Sequence, residues 1–96
     1  MAAAIPGVST SFILGTGAPT QLAGPNDQRR YILITNNDKV NAAAIAFGTN
    51  NGATANHHVI QGGGWFEYLV RPGWAIPGDI SAIAVSGTPT LSYLEL

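Results

Sequence analysis

Two adjacent histidines, His57 and His58, are the residues whose chemistry first suggests a site. Imidazole nitrogens are common metal ligands, but consecutive strand residues point to opposite faces, and no cysteine or carboxylate lies nearby to complete a coordination shell. We therefore expect no metal site. The alternative is a polar edge or loop in which the histidines are solvated or contact a neighbouring chain, and oligomer assembly would then respond to mild acid.

The sequence contains no motif that predicts catalysis or cofactor binding. Serines such as Ser81 and Ser92 lie in alternating strand contexts, and no G-x-S-x-G turn is present. Gly15-Thr16-Gly17 is followed by Thr20 where a dinucleotide-binding loop has its third glycine, and Lys39 is the only lysine. No spacing brings two carboxylates together. We expect a protein that is not an enzyme and holds no cofactor.

The segment from Trp65 to Trp74 contains both tryptophans, with Tyr68 and Arg71 between them. Aromatic and arginine side chains are enriched where proteins contact partners, so this segment is the main candidate for an interface. Two alternatives remain open: the tryptophans fill the core, or they stack on sugar rings beside asparagine-rich turns. The candidate interface residues are Trp65, Tyr68, Arg71, Trp74, Arg29 and Arg30.

Composition limits the classes of partner. Charged residues make up 9%, against about a quarter in ordinary soluble domains, while 46% are hydrophobic. This combination is the reverse of that in disordered chains, and it suggests burial against copies or neighbours. With four cationic side chains and a net charge of −1, the chain offers no basic stripe for nucleic acid.

The chain is long enough for one core, and residues 1–96 are expected to form a single domain. No cysteine is present, so neither disulfides nor a thiolate-bound metal supports the fold. The start, Met1 to Ile5, lacks a basic region and is too short in apolar residues for a signal peptide or a membrane span. We expect synthesis in a cytoplasm and no membrane partner.

Short β-branched and aromatic runs, separated by glycine, proline and asparagine clusters, predict an all-β fold. A short helix over Val40–Phe47 is the only competing pattern, and strand is preferred there. The expected class is an antiparallel β-sandwich or jelly roll of about seven to eight strands. The predicted strands are Ser9–Leu14, Thr20–Ala23, Arg30–Thr35, Ala44–Phe47, His58–Ile60, Trp65–Val70, Ile80–Val85 and Leu91–Leu96.

Alternation within these strands predicts two apolar faces. Ile32 and Ile34 point to one side, while Tyr31, Leu33 and Thr35 point to the other. A two-layer sandwich of this size covers one face of each sheet only. The outward apolar residues are therefore either tolerated at the surface or covered by another subunit.

Four segments together resemble small virion proteins of tailed bacteriophages. They are Arg30–Asn37, the strand Ala44–Phe47 with its closing Gly48, Pro77–Val85 and Leu91–Glu95, and the likeness spans residues 28–96. It implies a compact β-sandwich that coats capsids or decorates heads and tails, and it carries no catalytic residues. The first region has no counterpart, and residues 1–22 are a candidate arm that contacts neighbouring subunits.

Two functional hypotheses follow, and they belong to different classes. The first is a capsid decoration or cement protein of the virion, made in the host cytoplasm, homo-oligomeric and in our expectation trimeric, that binds the major capsid protein or other virion proteins. A tail, neck or head-fibre component is an alternative within this class. The second is a carbohydrate-binding module that uses Trp65 or Trp74 with the asparagine loops to bind a glycan.

Overall fold

The computed structural model describes residues 7–69 and 76–96, and these residues form eight strands. Each predicted strand is present with its ends within one residue of the prediction, and Val40–Phe47 contains a strand and no helix. The strands are β1 Thr10–Ile13, β2 Thr20–Ala23, β3 Tyr31–Asn36, β4 Ala43–Phe47, β5 His58–Ile60, β6 Trp65–Leu69, β7 Ile80–Ala84 and β8 Thr90–Glu95.

The strands form two four-stranded antiparallel sheets. Sheet A has the order β1-β8-β3-β6, and sheet B has the order β2-β7-β4-β5. The chain crosses between the sheets at every connection except the β4–β5 hairpin, which stays within sheet B. This order is that of a jelly roll, so the predicted antiparallel sandwich is confirmed and its topology defined.

The core lies between the sheets and is built from alternate residues of the central strands. Ile32 and Ile34 of β3 are fully buried, and Leu91 and Tyr93 of β8 pack beside them from the same sheet. Sheet B contributes Ile45, Ile80, Ala82 and Ala84, among others. The predicted division of β3 into an inward and an outward set is therefore confirmed.

The N-terminal strands are integral to the sandwich. β1 pairs with β8 and β2 with β7, and Phe12, Leu14 and Leu22 belong to the core cluster. Of the predicted arm, residues 1–22, residues 10–13 and 20–22 thus lie in strands of the two sheets. The start of that predicted arm, residues 1–6, lies outside the described residues.

Candidate functional site

The outer face of sheet B is partly covered by the chain itself. Ala44, Ala46 and Ser81 alternate with core residues and so point away from the core, yet each is buried. The loop of residues 48–57, which joins β4 to β5, contacts this face at Ser81: Ala53 is buried, and its N–H donates to the Ser81 hydroxyl at 3.2 Å. Val59, which pairs with Ala44 at the β5 edge, stays 38% exposed. The β4–β5 loop therefore takes part of the place that a partner could otherwise occupy.

A buried carboxylate fixes this loop. Asp79, at the start of β7, accepts the N–H groups of Asn50 at 2.9 Å and Asn51 at 2.7 Å, one on each oxygen. Both asparagines have φ near +57°, at 56° and 58°, a left-handed conformation that asparagine tolerates better than most residues. Asn50 and Asn51 thus have a structural role in the turn.

The outer face of sheet A is left uncovered by the described residues. Outward side chains of the central strands β3 and β8 are half-buried, and those of the edge strands β1 and β6 are exposed. Trp65 is 68% exposed, Leu69 71% and Ile13 75%. Trp65 and Leu69 lie on the edge strand β6, and Ile13 lies on the opposite edge strand β1. Exposed apolar side chains grouped on one face are the usual mark of an interaction site.

The strand register divides this face into two parts. One part, which we call the apolar block, consists of Leu33, Leu94, Tyr31 and Leu69: Leu33 pairs with Leu94, Tyr31 pairs with Leu69, and Glu67 of β6 lies opposite Leu33 at the edge of the block. The other part, which we call the hydroxyl row, consists of Trp65, Thr35, Ser92 and Ser11. In it Trp65 pairs with Thr35, Thr35 with Ser92, and Ser92 with Ser11, so the four residues cross the whole sheet.

Among the described strand residues of this face, the charge is one carboxylate whose position is constrained. Glu67 of β6 accepts a hydrogen bond at 2.6 Å from the phenol of Tyr31, which lies on the adjacent strand β3. This hydrogen bond is the main cause that raises the pKa of the Tyr31 phenol above its ordinary value, and desolvation and the negative charge of Glu67 act in the same direction. The Tyr31 phenol therefore remains uncharged at physiological pH, and its ring adds apolar surface to the block.

The predicted interface residues do not share one location. Trp65 lies on the open face of sheet A, whereas Tyr68, with opposite orientation on the same strand, packs partly against the core. Arg30 is exposed and precedes β3. Arg71 and Trp74 lie outside the described residues, so the segment from Trp65 to Trp74 is described only as far as Leu69.

Arg29 is an interior residue, with a fully buried side chain. Its Nε donates to Glu95 at 3.2 Å, and its terminal nitrogens donate to the carbonyls of Gly24, Ile76 and Gly78 at 2.9, 2.6 and 3.0 Å. The guanidinium thus joins the β2–β3 loop, the segment that precedes β7 and the end of β8. It is not available to a partner, and its role is to hold these three segments together.

Glu95 completes this buried cluster. One carboxylate oxygen of Glu95 accepts a hydrogen bond from Tyr93 Oη at 2.9 Å, and the other accepts one from Asn26 Nδ2 at 2.7 Å. Burial raises the pKa of the Tyr93 phenol well above its ordinary value, although the nearby Arg29 charge opposes this shift. Every charged or phenolic group in the cluster therefore has a hydrogen-bond partner, as buried polar groups require.

The two histidines have different surroundings. The His57 Nδ1 accepts the Thr54 N–H at 2.8 Å and closes the turn that precedes β5. The His58 ring meets the edge of Phe66 with the ring centroids 5.5 Å apart. Among residues 7–69 and 76–96, no three histidine or carboxylate side chains lie close enough together to share a metal ion.

The asparagines at the turns also separate into structural and available ones. Asn36 is buried and donates from Nδ2 to the carbonyls of Asn41, Ile60 and Gln61 at 2.8 to 3.3 Å. Asn37 is exposed, and its Nδ2 donates to the Ser92 hydroxyl at 2.6 Å, beside the hydroxyl row. Of these residues, Asn37 is the one placed to meet a ligand on sheet A.

Comparison with protein-family models, curated proteins and solved structures finds no match to this chain. No helix long and apolar enough to cross a membrane occurs in the described parts of the chain. The candidate site is therefore defined by its own geometry.

Sequence reasoning did not identify the hydroxyl row or distinguish the two outer faces. Thr35, Ser92 and Ser11 lie on three strands that are distant in sequence, and only the register brings them side by side. The β4–β5 loop contains two alanines, Ala53 and Ala55, and the sequence does not distinguish the buried Ala53 from the exposed Ala55.

Proposed function

We propose that this chain is a structural protein of a bacteriophage virion, a capsid decoration or cement protein that binds the shell in many copies through the apolar block of sheet A. The observation that carries the proposal is the difference between the two outer faces. On one face the central outward residues Ala44, Ala46 and Ser81 are buried and the chain's own loop bonds to Ser81. The other face presents Leu33, Leu94, Tyr31 and Leu69 to its surroundings.

The distribution of charge supports a protein that works against neighbours. Arg29, Asp79 and Glu95 are buried, and Asp38 is engaged by the backbone N–H groups of its own turn. The exposed charged side chains of the described residues are Asp27, Arg30, Lys39 and Glu67. With two charges of each sign, this surface has little electrostatic repulsion to keep copies apart.

The fold is compatible with this role but does not define it. Jelly rolls are common in capsid proteins and also in lectins, so the topology favours binding and assembly functions without choosing between them. The resemblance of residues 28–96 to small virion proteins is a second, independent support. A symmetric homo-oligomer on the shell is part of the proposal, because repeated copies on a symmetric particle bury the same patch.

Copy number per particle tests the proposal. Quantitative mass spectrometry of particles purified from cells that produce the chain is expected to find hundreds of copies, as a shell protein requires. A few copies would overturn the shell assignment and indicate a tail, neck or fibre component. Absence from particles, together with a monomer at high protein concentration, would contradict the whole structural class.

A further inference from the structure

The hydroxyl row has a composition that the proposed shell contact does not explain. Trp65, Thr35, Ser92 and Ser11 are direct cross-strand neighbours on one face, with adjacent side chains about 5 Å apart. The row therefore presents an indole at one end and three hydroxyl groups in line with it. It lies beside the apolar block and is distinct from it.

Trp65 supplies an open aromatic surface. Its side chain is 68% exposed, while the neighbouring inward residue Phe66 packs against the core and against Phe47 at a ring-centroid distance of 5.4 Å. β6 is thus anchored from the inside while the indole projects outside. An aromatic ring carries negative charge on its face, and it attracts partners that present positively polarised C–H groups.

The Ser92 hydroxyl of the row is oriented by a hydrogen bond from Asn37. Asn37 Nδ2 donates to the Ser92 hydroxyl at 2.6 Å, so this oxygen acts as an acceptor and keeps its own proton for another acceptor. The Asn37 amide has a second N–H and a carbonyl oxygen as well. The row thus combines donors and acceptors within reach of the indole.

Charge restricts the class of ligand. None of the four residues in the row is charged, and the carboxylate of Glu67 lies on the same face, two residues along β6 from Trp65. A phosphate, sulfate or carboxylate group on the ligand would meet this negative charge without a cation in the row to pair with. Protein partners are also disfavoured at this point, because serine and threonine seldom contribute strongly to protein interfaces.

We propose that the hydroxyl row binds a neutral glycan, with one pyranose ring stacked on Trp65 and hydroxyl groups bonded to Thr35, Ser92 and Asn37. A pyranose has a C–H face for the indole and equatorial hydroxyls for the row. The ligand lies across the strands, from β6 toward β1. The asparagines of the β4–β5 loop take no part, because Asp79 holds them in the turn.

The test uses isotope-labelled full-length chain titrated with three neutral probes: maltopentaose, cellopentaose and N-acetylchitopentaose. At least one is expected to shift the Trp65 indole N–H and the Asn37 side-chain resonances in a saturable manner. Trp65→Ala should weaken this binding by about tenfold, and Thr35→Val, which keeps the side-chain shape, by about fivefold.

Leu69→Ala is the matched control, because Leu69 lies on the same strand and face and is 71% exposed. It should bind the probe as the wild type does, and a sulfated heparin tetrasaccharide should not bind. Three results would each overturn the proposal: no shift in the row with any neutral probe, equal loss of affinity in Leu69→Ala and Trp65→Ala, or tighter binding of the sulfated probe.

This site does not depend on the proposed shell contact, and the experiments separate the two. If the protein bound a glycan but never joined a particle, the glycan site in the hydroxyl row would stand and the shell proposal would be refuted. If the wild type bound no glycan and Trp65→Ala entered particles at the wild-type level, the glycan site would be refuted and the shell proposal would stand.

Discussion

At the scale of single residues, the strongest constraint on this small domain is the buried cluster around Arg29. Four hydrogen bonds from one guanidinium reach three separate segments, and Glu95 supplies the opposing charge. A buried ion pair is not in itself evidence of high stability, but removing one partner leaves an uncompensated charge in the interior. In a small domain without cysteine, and therefore without disulfides, such a loss is a large share of the total stability.

Arg29→Met is accordingly expected to lower the free energy of unfolding by about 3–5 kcal/mol, because Glu95 would stay buried without its cation. Arg30→Met is the matched control: Arg30 is exposed, and its substitution should change stability by no more than about 0.5 kcal/mol. Urea unfolding followed by tryptophan fluorescence measures both. Equal effects of the two substitutions would contradict the structural role of Arg29.

Asp38 gives a prediction about pH. It accepts the N–H groups of Asn41 and Val40, with the Asn41 bond the larger cause, and its pKa is held below the ordinary value. A depressed pKa in the folded state means stabilisation that is complete above the carboxyl's unfolded pKa and lost as the pH falls through its folded pKa. Asp38→Asn should therefore be less stable than the wild type at neutral pH.

That difference should disappear in acid, where the wild-type carboxyl is protonated too. Urea midpoints of both proteins, measured across the acid range, follow the difference directly. A difference in midpoint that stays constant with pH would show that the Asp38 charge contributes nothing to the turn.

At the scale of elements, the β4–β5 loop decides which face of the molecule stays open. It lies on sheet B through the Ala53 bond to Ser81 and the two bonds that Asp79 accepts. Among the described residues, the loop is thus the element that distinguishes the outer face of sheet B from that of sheet A.

Removing the carboxylate that holds the loop should loosen it without unfolding the sandwich. In Asp79→Ala, the amide protons of Asn50 and Asn51 are expected to exchange with solvent faster, while those of β3 keep their protection. Asp27→Ala, at an exposed loop position, is the control and should leave both sets unchanged. Unaltered exchange at Asn50 and Asn51 would mean that other contacts hold the loop.

The strands and their inward faces could be predicted from sequence, because strand alternation and turn residues are local signals. One such case is β3, in which Ile32 and Ile34 point inward while Tyr31 and Leu33 point outward. The burial of Arg29 could not be predicted, because its partner Glu95 is 66 residues away and they meet only in the folded sheet. The pairing of Thr35 with Ser92 and Trp65 depends on register in the same way.

At the scale of the whole molecule, the described residues form a small jelly roll with few exposed charges and an uncovered outer face on sheet A. The apolar block extends from Leu94 and Leu33 of the central strands to Leu69 of the edge strand β6, and the hydroxyl row runs beside it. Solubility of such a chain in isolation is expected to be limited, since exposed apolar area is not balanced by net charge. Burial of the open face against a partner resolves this imbalance.

The most direct test of this assignment is the amount of purified protein that co-sediments with particles depleted of the chain. Leu69→Glu places a charge in the apolar block, and Val40→Glu places the same charge at a residue that is 85% exposed before β4. Wild type and Val40→Glu are predicted to saturate the particles at equal copy number, while Leu69→Glu, folded by circular dichroism, stays in the supernatant. Binding of Leu69→Glu at the wild-type level would contradict the assignment of this face as the contact surface.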